Sequence, residues 1–188
     1  MPFTPSRPID TGWIEVICGP MFCGKTEELI RRLRRAEIAQ MKTVIFKPII
    51  DNRYSENHIV SHNQRKLESI VISDVNEILE LSKDAEVVGI DEAQFFSDDL
   101  IDVCRTLAEQ NKRVVVAGLD TDYRNLPFGP MPLIMCEADY LDKIWAICVK
   151  CGNPASFTQR TTKDSEQVII GETDVYEARC RNCYELPE

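Results

Sequence analysis

At 188 residues, with 44% hydrophobic and 28% charged side chains, the chain has the make-up of a soluble globular protein with room for one full domain and a small appendage. Its net charge of −9 argues against an extended nucleic-acid surface, and no apolar run approaches bilayer-spanning length, so neither nucleic acid nor membrane is expected as a partner. Residues 1–12 hold three prolines and no apolar stretch of signal-peptide length; they read as a flexible tail, and the protein as cytoplasmic.

Taken in order, Trp13 to Cys18 is an apolar run that reads as a buried strand. Gly19-Pro20-Met21-Phe22-Cys23-Gly24-Lys25-Thr26 follows, matching G-x-x-x-x-G-K-[ST] at every fixed position between a strand and a helix. The helix from Thr26 carries Leu29, Ile30, Leu33 and Ala36 on one face; Arg31, Arg32, Arg34 and Arg35 read as its solvated face. Thr43 to Lys47 is a second strand stopped by Pro48, and the polar stretch from Ile49 through His62 to Lys66 reads as a loop of functional length. A strand at Ser69 to Ile72 and a short helix with Val75, Ile78 and Leu79 inward come next, then an apolar run from Ala85 to Ile90. Ser97 is the expected cap of a helix burying Leu100, Ile101, Cys104, Leu107 and Ala108, with Asp98 and Asp99 in its first turn. Arg113 to Gly118 is another strand, Asp120 to Pro132 is turn-rich, and Tyr140 to Ile147 is extended. Strands alternating with helices imply an α/β fold with a parallel sheet covered on both faces.

The chemistry concentrates in three places. In the phosphate loop, glycines let successive backbone N–H groups converge on one anion at a helix N-terminus, Lys25 reaches the outer phosphates, and the Thr26 hydroxyl is placed to ligate Mg²⁺. Asp91 ends a strand on the same sheet edge, the position from which a carboxylate supports that metal, and adjacent Glu92 is placed to accept a proton from an attacking hydroxyl. Phe95 and Phe96 read either as core or, for one of them, as the wall of an acceptor pocket. Third, Cys148-x-x-Cys151 and Cys180-x-x-Cys183 have structural Zn²⁺ spacing, with a long intervening loop; free or redox cysteines are the competing reading. Cys18, Cys104 and Cys136 read as small buried hydrophobes, and His58 and His62 as surface or loop residues.

Together the loop, Asp51-Asn-Arg53-Tyr-Ser, Asp91-Glu-Ala-Gln-Phe-Phe, Leu119-Asp-Thr-Asp-Tyr123-Arg, Pro127-Phe-Gly and both cysteine pairs with Tyr176-Glu-Ala-Arg-Cys resemble the type II thymidine kinases over about residues 13 to 184. The resemblance implies a RecA-like P-loop parallel sheet with helices on both faces, plus a small C-terminal zinc-binding lasso domain. The expected division is a tail at 1–12, an α/β nucleotide-binding domain at 13–143 and the lasso domain at 144–188. It implies transfer of the ATP γ-phosphoryl group to the 5′-hydroxyl of thymidine, and of deoxyuridine to some degree. Glu92 is then the catalytic base, while Gly19, Pro20, Met21, Phe22, Cys23, Gly24, Lys25, Thr26 and Asp91 serve the donor phosphates and Mg²⁺. Asp51 and Arg53 lie near the transferring phosphate and the sugar. Met21, Phe95, Leu119, Tyr123, Phe128 and Thr158 wall the thymine pocket, and Ile169, Gly171 and Tyr176 belong to the lasso. A homotetramer inhibited by thymidine triphosphate (dTTP) is implied as well.

Two positions depart from the family's pattern. Cys23 replaces a serine and sets a thiol beside bound anion, where oxidation is the thing to test. Tyr123 adds a hydroxyl that needs a partner. The rival readings are a RecA-like ATPase stimulated by nucleic acid, and a zinc-ribbon interaction module that accounts only for the C-terminal part.

Overall fold

The structure, a computed structural model, describes residues 11–49, 58–59, 67–162 and 175–186. Asp51, Arg53, His62, Ile169 and Gly171 lie outside the described residues, as does the tail through Asp10. In chain order the elements are β1 (Trp13–Cys18), α1 (Lys25–Ile38), β2 (Thr43–Pro48), β3 (His58–Ile59), β4 (Leu67–Glu68), β5 (Ile70–Ile72), α2 (Glu77–Leu81), β6 (Val87–Ile90), a 3-10 turn at Ala93–Phe95, α3 (Leu100–Glu109), β7 (Arg113–Gly118), α4 (Met131–Glu137), β8 (Tyr140–Lys143), β9 (Ala146–Ile147), β10 (Pro154–Ala155), β11 (Phe157–Arg160) and β12 (Tyr176–Arg179).

Six strands form one sheet in the order β5-β2-β6-β7-β1-β8, and every pairing within it is parallel. Parallel strands need crossovers, and the helices that supply them cover both faces. Alternation along β1 divides the core. Ile14, Val16 and Cys18 face a cluster closed by Ile78 of α2, by Leu100, Val103, Cys104 and Leu107 of α3, and by Met131 and Ile134 of α4. Ile17 faces Leu29, Ile30, Leu33 and Ala36 of α1, with Ile45, Val87, Val115 and Ala117 beside them. The predicted α/β class therefore holds. β7 lies between β1 and β6, so the segments after β1, β7 and β6 emerge side by side at one carboxyl edge.

Several local expectations need correction. Arg32 is buried, unlike exposed Arg31 and Arg35, because Glu15 of β1 points to the α1 side of the sheet and draws it inward. Arg32 Nη1 donates to Glu15 Oε2 at 2.8 Å and Arg113 Nε to Glu15 Oε1 at 2.6 Å, while Glu28 and Asp142 also pair with Arg32. Ser97 does not cap α3. Its hydroxyl faces Asp99 Oδ2 at 3.3 Å, and the helix starts only at Leu100, so Asp98 and Asp99 precede it. Cys136 is exposed, since α4 buries Met131 and Ile134 and the next positions turn outward. α4 itself arises in the proline-rich stretch, where Pro130 and Pro132 sit at positions whose missing N–H groups lack helical partners anyway. The 49–66 stretch contributes β3, which pairs antiparallel with β4; two-residue ladders carry no periodic signal. The run from Tyr140 breaks in two: β8 joins the main sheet, and β9 pairs with β10.

Burial raises the Glu15 carboxyl, but hydrogen bonds and charge from Arg113, the Trp13 indole N–H and Arg32 outweigh it and hold the group below its usual range. Glu15→Ala leaves two largely buried guanidinium groups without their shared acid, so unfolding free energy at pH 7 should fall by about 3–5 kcal/mol in urea denaturation. Because the folded value is depressed, the contribution is complete above the unfolded carboxylate value of about 4.3 and is lost as pH falls through the folded one. The gap between parent and variant should therefore close in acid.

Candidate active site

The phosphate loop leaves β1 through Gly19, whose Cα lies so close to the Ile144 carbonyl that a Cβ there would fall 2.2 Å from the oxygen. Phe22 and Gly24 both take positive φ, 65° and 87°, so the backbone curls before α1 begins at Lys25. Glycine adopts that conformation without steric cost. The resulting helix N-terminus has the donors and dipole an anion needs. Lys25 Nζ donates to the Pro20 carbonyl at 2.8 Å and lies 3.9 Å from Cys23 Sγ, so its ammonium stays within the loop. Cys23 is half-buried, and burial pushes its thiol up against the pull of Lys25; thiolate reactivity is thereby suppressed.

In the first turn of α1, the Thr26 hydroxyl lies 3.1 Å and 3.3 Å from the two carboxylate oxygens of Asp91, reaching past β7 to the end of β6. Burial first, and the charge of Glu92 second, push the Asp91 carboxyl up, opposed by the Glu92 backbone N–H, the Thr26 hydroxyl and Lys25. A hydroxyl and a carboxylate converging where positive charge is wanting are hard oxygen donors of the kind Mg²⁺ takes, so the residues fit that ion. Glu92, at φ 52° and ψ 38°, turns the chain sharply into the 3-10 turn; its Oε2 accepts from Gln94 Nε2 at 2.6 Å.

On the other side of the crevice the predicted pocket residues fall into linked pairs. The Thr158 hydroxyl on β11 accepts the Met21 N–H at 3.0 Å, tying the C-terminal hairpin to the phosphate loop. Phe95 meets Phe128 edge-to-face, 5.4 Å between centroids, whereas Phe96 belongs to the core; this resolves which of the two is free to form a wall. Leu119 is half-buried at the end of β7 and donates its N–H to Gln94 Oε1 at 2.9 Å. The Tyr123 hydroxyl finds its partner in Arg124 Nε at 2.9 Å, and its ring lies 3.6 Å beneath the guanidinium of Arg160. Arg160 Nη2 in turn donates to the Tyr176 hydroxyl at 2.7 Å. Neither Gln94 nor Arg160 carries a role that local pattern assigns. A polar side chain in the short turn after the strand-end acids, and an arginine inside a buried strand, were the available signals.

Beyond the crevice, the sulfurs of Cys148, Cys151, Cys180 and Cys183 all lie within 4.8 Å of one another. A tetrahedron with Zn–S bonds of ~2.3 Å has edges of about 3.8 Å, so the cluster fits a structural zinc ion. Burial raises the Cys148 thiol, but backbone N–H groups of Cys180, Cys151 and Lys150 outweigh it and hold it down to about 6. Cys183, hydrogen-bonded by Cys151 and Cys180, is pushed up to about 12. Burial raises the Cys180 thiol as well, but hydrogen bonds from Cys151 and Cys183 outweigh it and lower the group. Cys23 of the phosphate loop packs against the adjoining apolar cluster of Ala146, Cys148, Ala155, Ala178 and Cys180.

An all-parallel sheet with a glycine loop between β1 and α1, and a threonine–aspartate contact past the intervening strand, defines a phosphate-loop nucleotide-binding protein. The family model described as Thymidine kinase matches residues 12–184. A thymidine kinase of Rhodothermus sp. (strain ITI 518) is 54% identical over 94% of this chain and 83% of its own length. One from Bacteroides thetaiotaomicron is 56% identical over 92% and 87%, respectively. The chain belongs to the thymidine kinase family. Among solved structures, the genome-packaging NTPase B204 of Sulfolobus turreted icosahedral virus 2 covers 74% of this chain and 76% of its own at 17% identity and TM-score 0.41, a likeness too slight to carry an argument. Nothing in these matches favours an ATPase stimulated by nucleic acid. Among the described residues no helix is long and apolar enough to cross a membrane.

Purified protein should carry about one zinc per chain, and Cys180→Ser should lose most of it. Elemental analysis of both proteins reads this directly; undiminished zinc in the variant refutes the ligand assignment.

Proposed function

We propose that this chain phosphorylates thymidine, and deoxyuridine to a lesser degree, at the 5′-hydroxyl with ATP as donor. The observation that carries the reading is the Thr26–Asp91 contact with Glu92 one residue on, in a chain of the thymidine kinase family. The backbone N–H groups of residues 22–26 and the Lys25 ammonium bind and orient the donor's phosphates. Thr26 and Asp91 would hold Mg²⁺, which when bound neutralises charge on the β- and γ-phosphate oxygens. Glu92 accepts the proton of the 5′-hydroxyl as that oxygen bonds to the γ-phosphorus and the bond to the β-phosphate oxygen breaks, leaving ADP and the nucleoside monophosphate. Phosphoryl transfer asks the protein chiefly for placement and charge stabilisation, and one positioned carboxylate suffices for the proton.

Met21, Phe95, Leu119, Tyr123, Phe128 and Thr158 enclose the base, with Tyr176, Ile169 and Gly171 on the lid and Asp51 and Arg53 at the sugar and migrating phosphate. Residues 13–143 then form the nucleotide-binding domain, and 144–188 a lasso pinned by zinc that keeps water from the reaction. Cytoplasmic location, a homotetramer and inhibition by dTTP belong to the same reading.

A transfer assay with radiolabelled ATP across the four deoxynucleosides should label thymidine above the others; no labelled thymidine monophosphate sinks the proposal. Lys25→Ala should abolish transfer in that assay, because the migrating phosphoryl group loses its nearest positive charge. Glu92→Gln should retain thymidine affinity in calorimetry while kcat falls by ~10²–10⁴, the usual span for a general base. Collapse of affinity would instead mark Glu92 as a binding group.

A further inference from the structure

We propose that Gln94 is a positioning residue for Glu92: its buried amide, polarised by the Leu119 backbone, holds the carboxylate that takes the acceptor's proton and ties it to the wall of the acceptor pocket. The inference rests on the phosphoryl-transfer reading of the site and adds a residue to it.

Gln94 is 2% exposed, and both ends of its amide are paired. The Leu119 N–H can only donate, so the oxygen of the Gln94 amide must face it, at 2.9 Å. That leaves Nε2 as a donor toward Glu92 Oε2 at 2.6 Å, and the amide cannot flip without setting donor against donor and acceptor against acceptor. With Oε2 engaged, the Glu92 carboxylate is anchored at one oxygen, and Oε1 is the one to meet an incoming hydroxyl.

The surroundings hold Gln94 itself. A Cβ on Gly118 would fall 2.8 Å from Gln94 Oε1, and one on Gly129 would fall 2.2 Å from the Gln94 carbonyl oxygen. Two segments thus approach this residue as closely as glycine allows, and Gly129 does so at φ +51°. The three chain segments meeting here are those that carry Phe95, Leu119 and Phe128. Gln94 is where the pocket wall and the proton acceptor are joined. Glu92, in a left-handed conformation that a side chain disfavours, is turned toward this junction rather than along the strand.

Simple core filling would be served as well by an apolar side chain of the same shape, since a buried amide is costly unless satisfied. The amide matters only if its polarity is used, which gives a test. Gln94→Met keeps length and volume and removes both hydrogen bonds. In the parent background kcat for thymidine phosphorylation should fall roughly 10- to 100-fold, with KM for thymidine and for ATP each within about threefold, as expected when a reacting group is misplaced rather than a ligand lost. In a Glu92→Gln background the same change should cost less than about twofold, because nothing remains to position. Equal losses in the two backgrounds, kcat within about threefold of the parent, or a KM effect without a kcat effect each overturn the proposal. Should Gln94→Met not fold, Gln94→Asn retains the amide one methylene short of its partners and is held to the same outcomes. A parent protein that labels no deoxynucleoside overturns both this inference and the functional reading, whereas a parent that labels thymidine beside a fully active Gln94→Met overturns this one alone.

Discussion

The contact between Thr26 and Asp91 is the constraint on which the rest of the site depends. These residues are 65 positions apart and follow strands that are not neighbours, Thr26 at the start of the helix after β1 and Asp91 just past β6, since β7 runs between β1 and β6. Their hydroxyl and carboxylate meet only because all three strands are parallel and end at one edge. They also need the loop after β1 to curl back over that edge before α1 begins. The left-handed turns at Phe22 and Gly24 provide the curl, and the approach of Gly19 to Ile144 sets where it starts. A sheet with one strand reversed would carry the same residues and no site.

The C-terminal segment is bound into this arrangement by polar contacts. Thr158 accepts the Met21 N–H, Tyr184 donates its hydroxyl to the Tyr123 carbonyl at 2.8 Å, and Arg160 lies between the Tyr123 ring and the Tyr176 hydroxyl. Cys23 of the phosphate loop packs on the apolar cluster that Cys148 and Cys180 share with Ala146, Ala155 and Ala178. The segment with the four cysteines is therefore in direct touch with the phosphate loop. β11 and β12 form a two-stranded ladder over this small cluster, and a metal held by the cysteines would add order that so little apolar burial does not supply.

Buried charge serves a different purpose in each half. Glu15 with Arg32 and Arg113 fastens α1, and with it the phosphate loop, to β1 and β7 far from the crevice edge. Burial, with the charge of Glu92 beside it, raises the Asp91 carboxyl instead. The first carboxylate is stabilised by paired arginines within the scaffold, whereas the second is perturbed at the sheet edge, a difference expected between a scaffold and a candidate site.

Much could be read from the chain itself. The phosphate loop, the strand-ending Asp91 and Glu92, and both cysteine pairs are local patterns in which spacing alone dictates geometry, so residue type and position suffice. Helices α1, α2 and α3 likewise followed from apolar periodicity, whereas α4 did not. Three-dimensional packing decided the rest. It turned Arg32 inward to an acid 17 residues away, left Cys136 outside, put Phe96 in the core and Phe95 against Phe128, and gave Gln94 a buried amide shared between two strand ends. None of these is periodic, and each depends on a partner brought near only by the order of strands in the sheet. Sequence records what a segment does with its own neighbours; the direction of a single polar side chain is set by charges and donors that arrive from elsewhere in the fold.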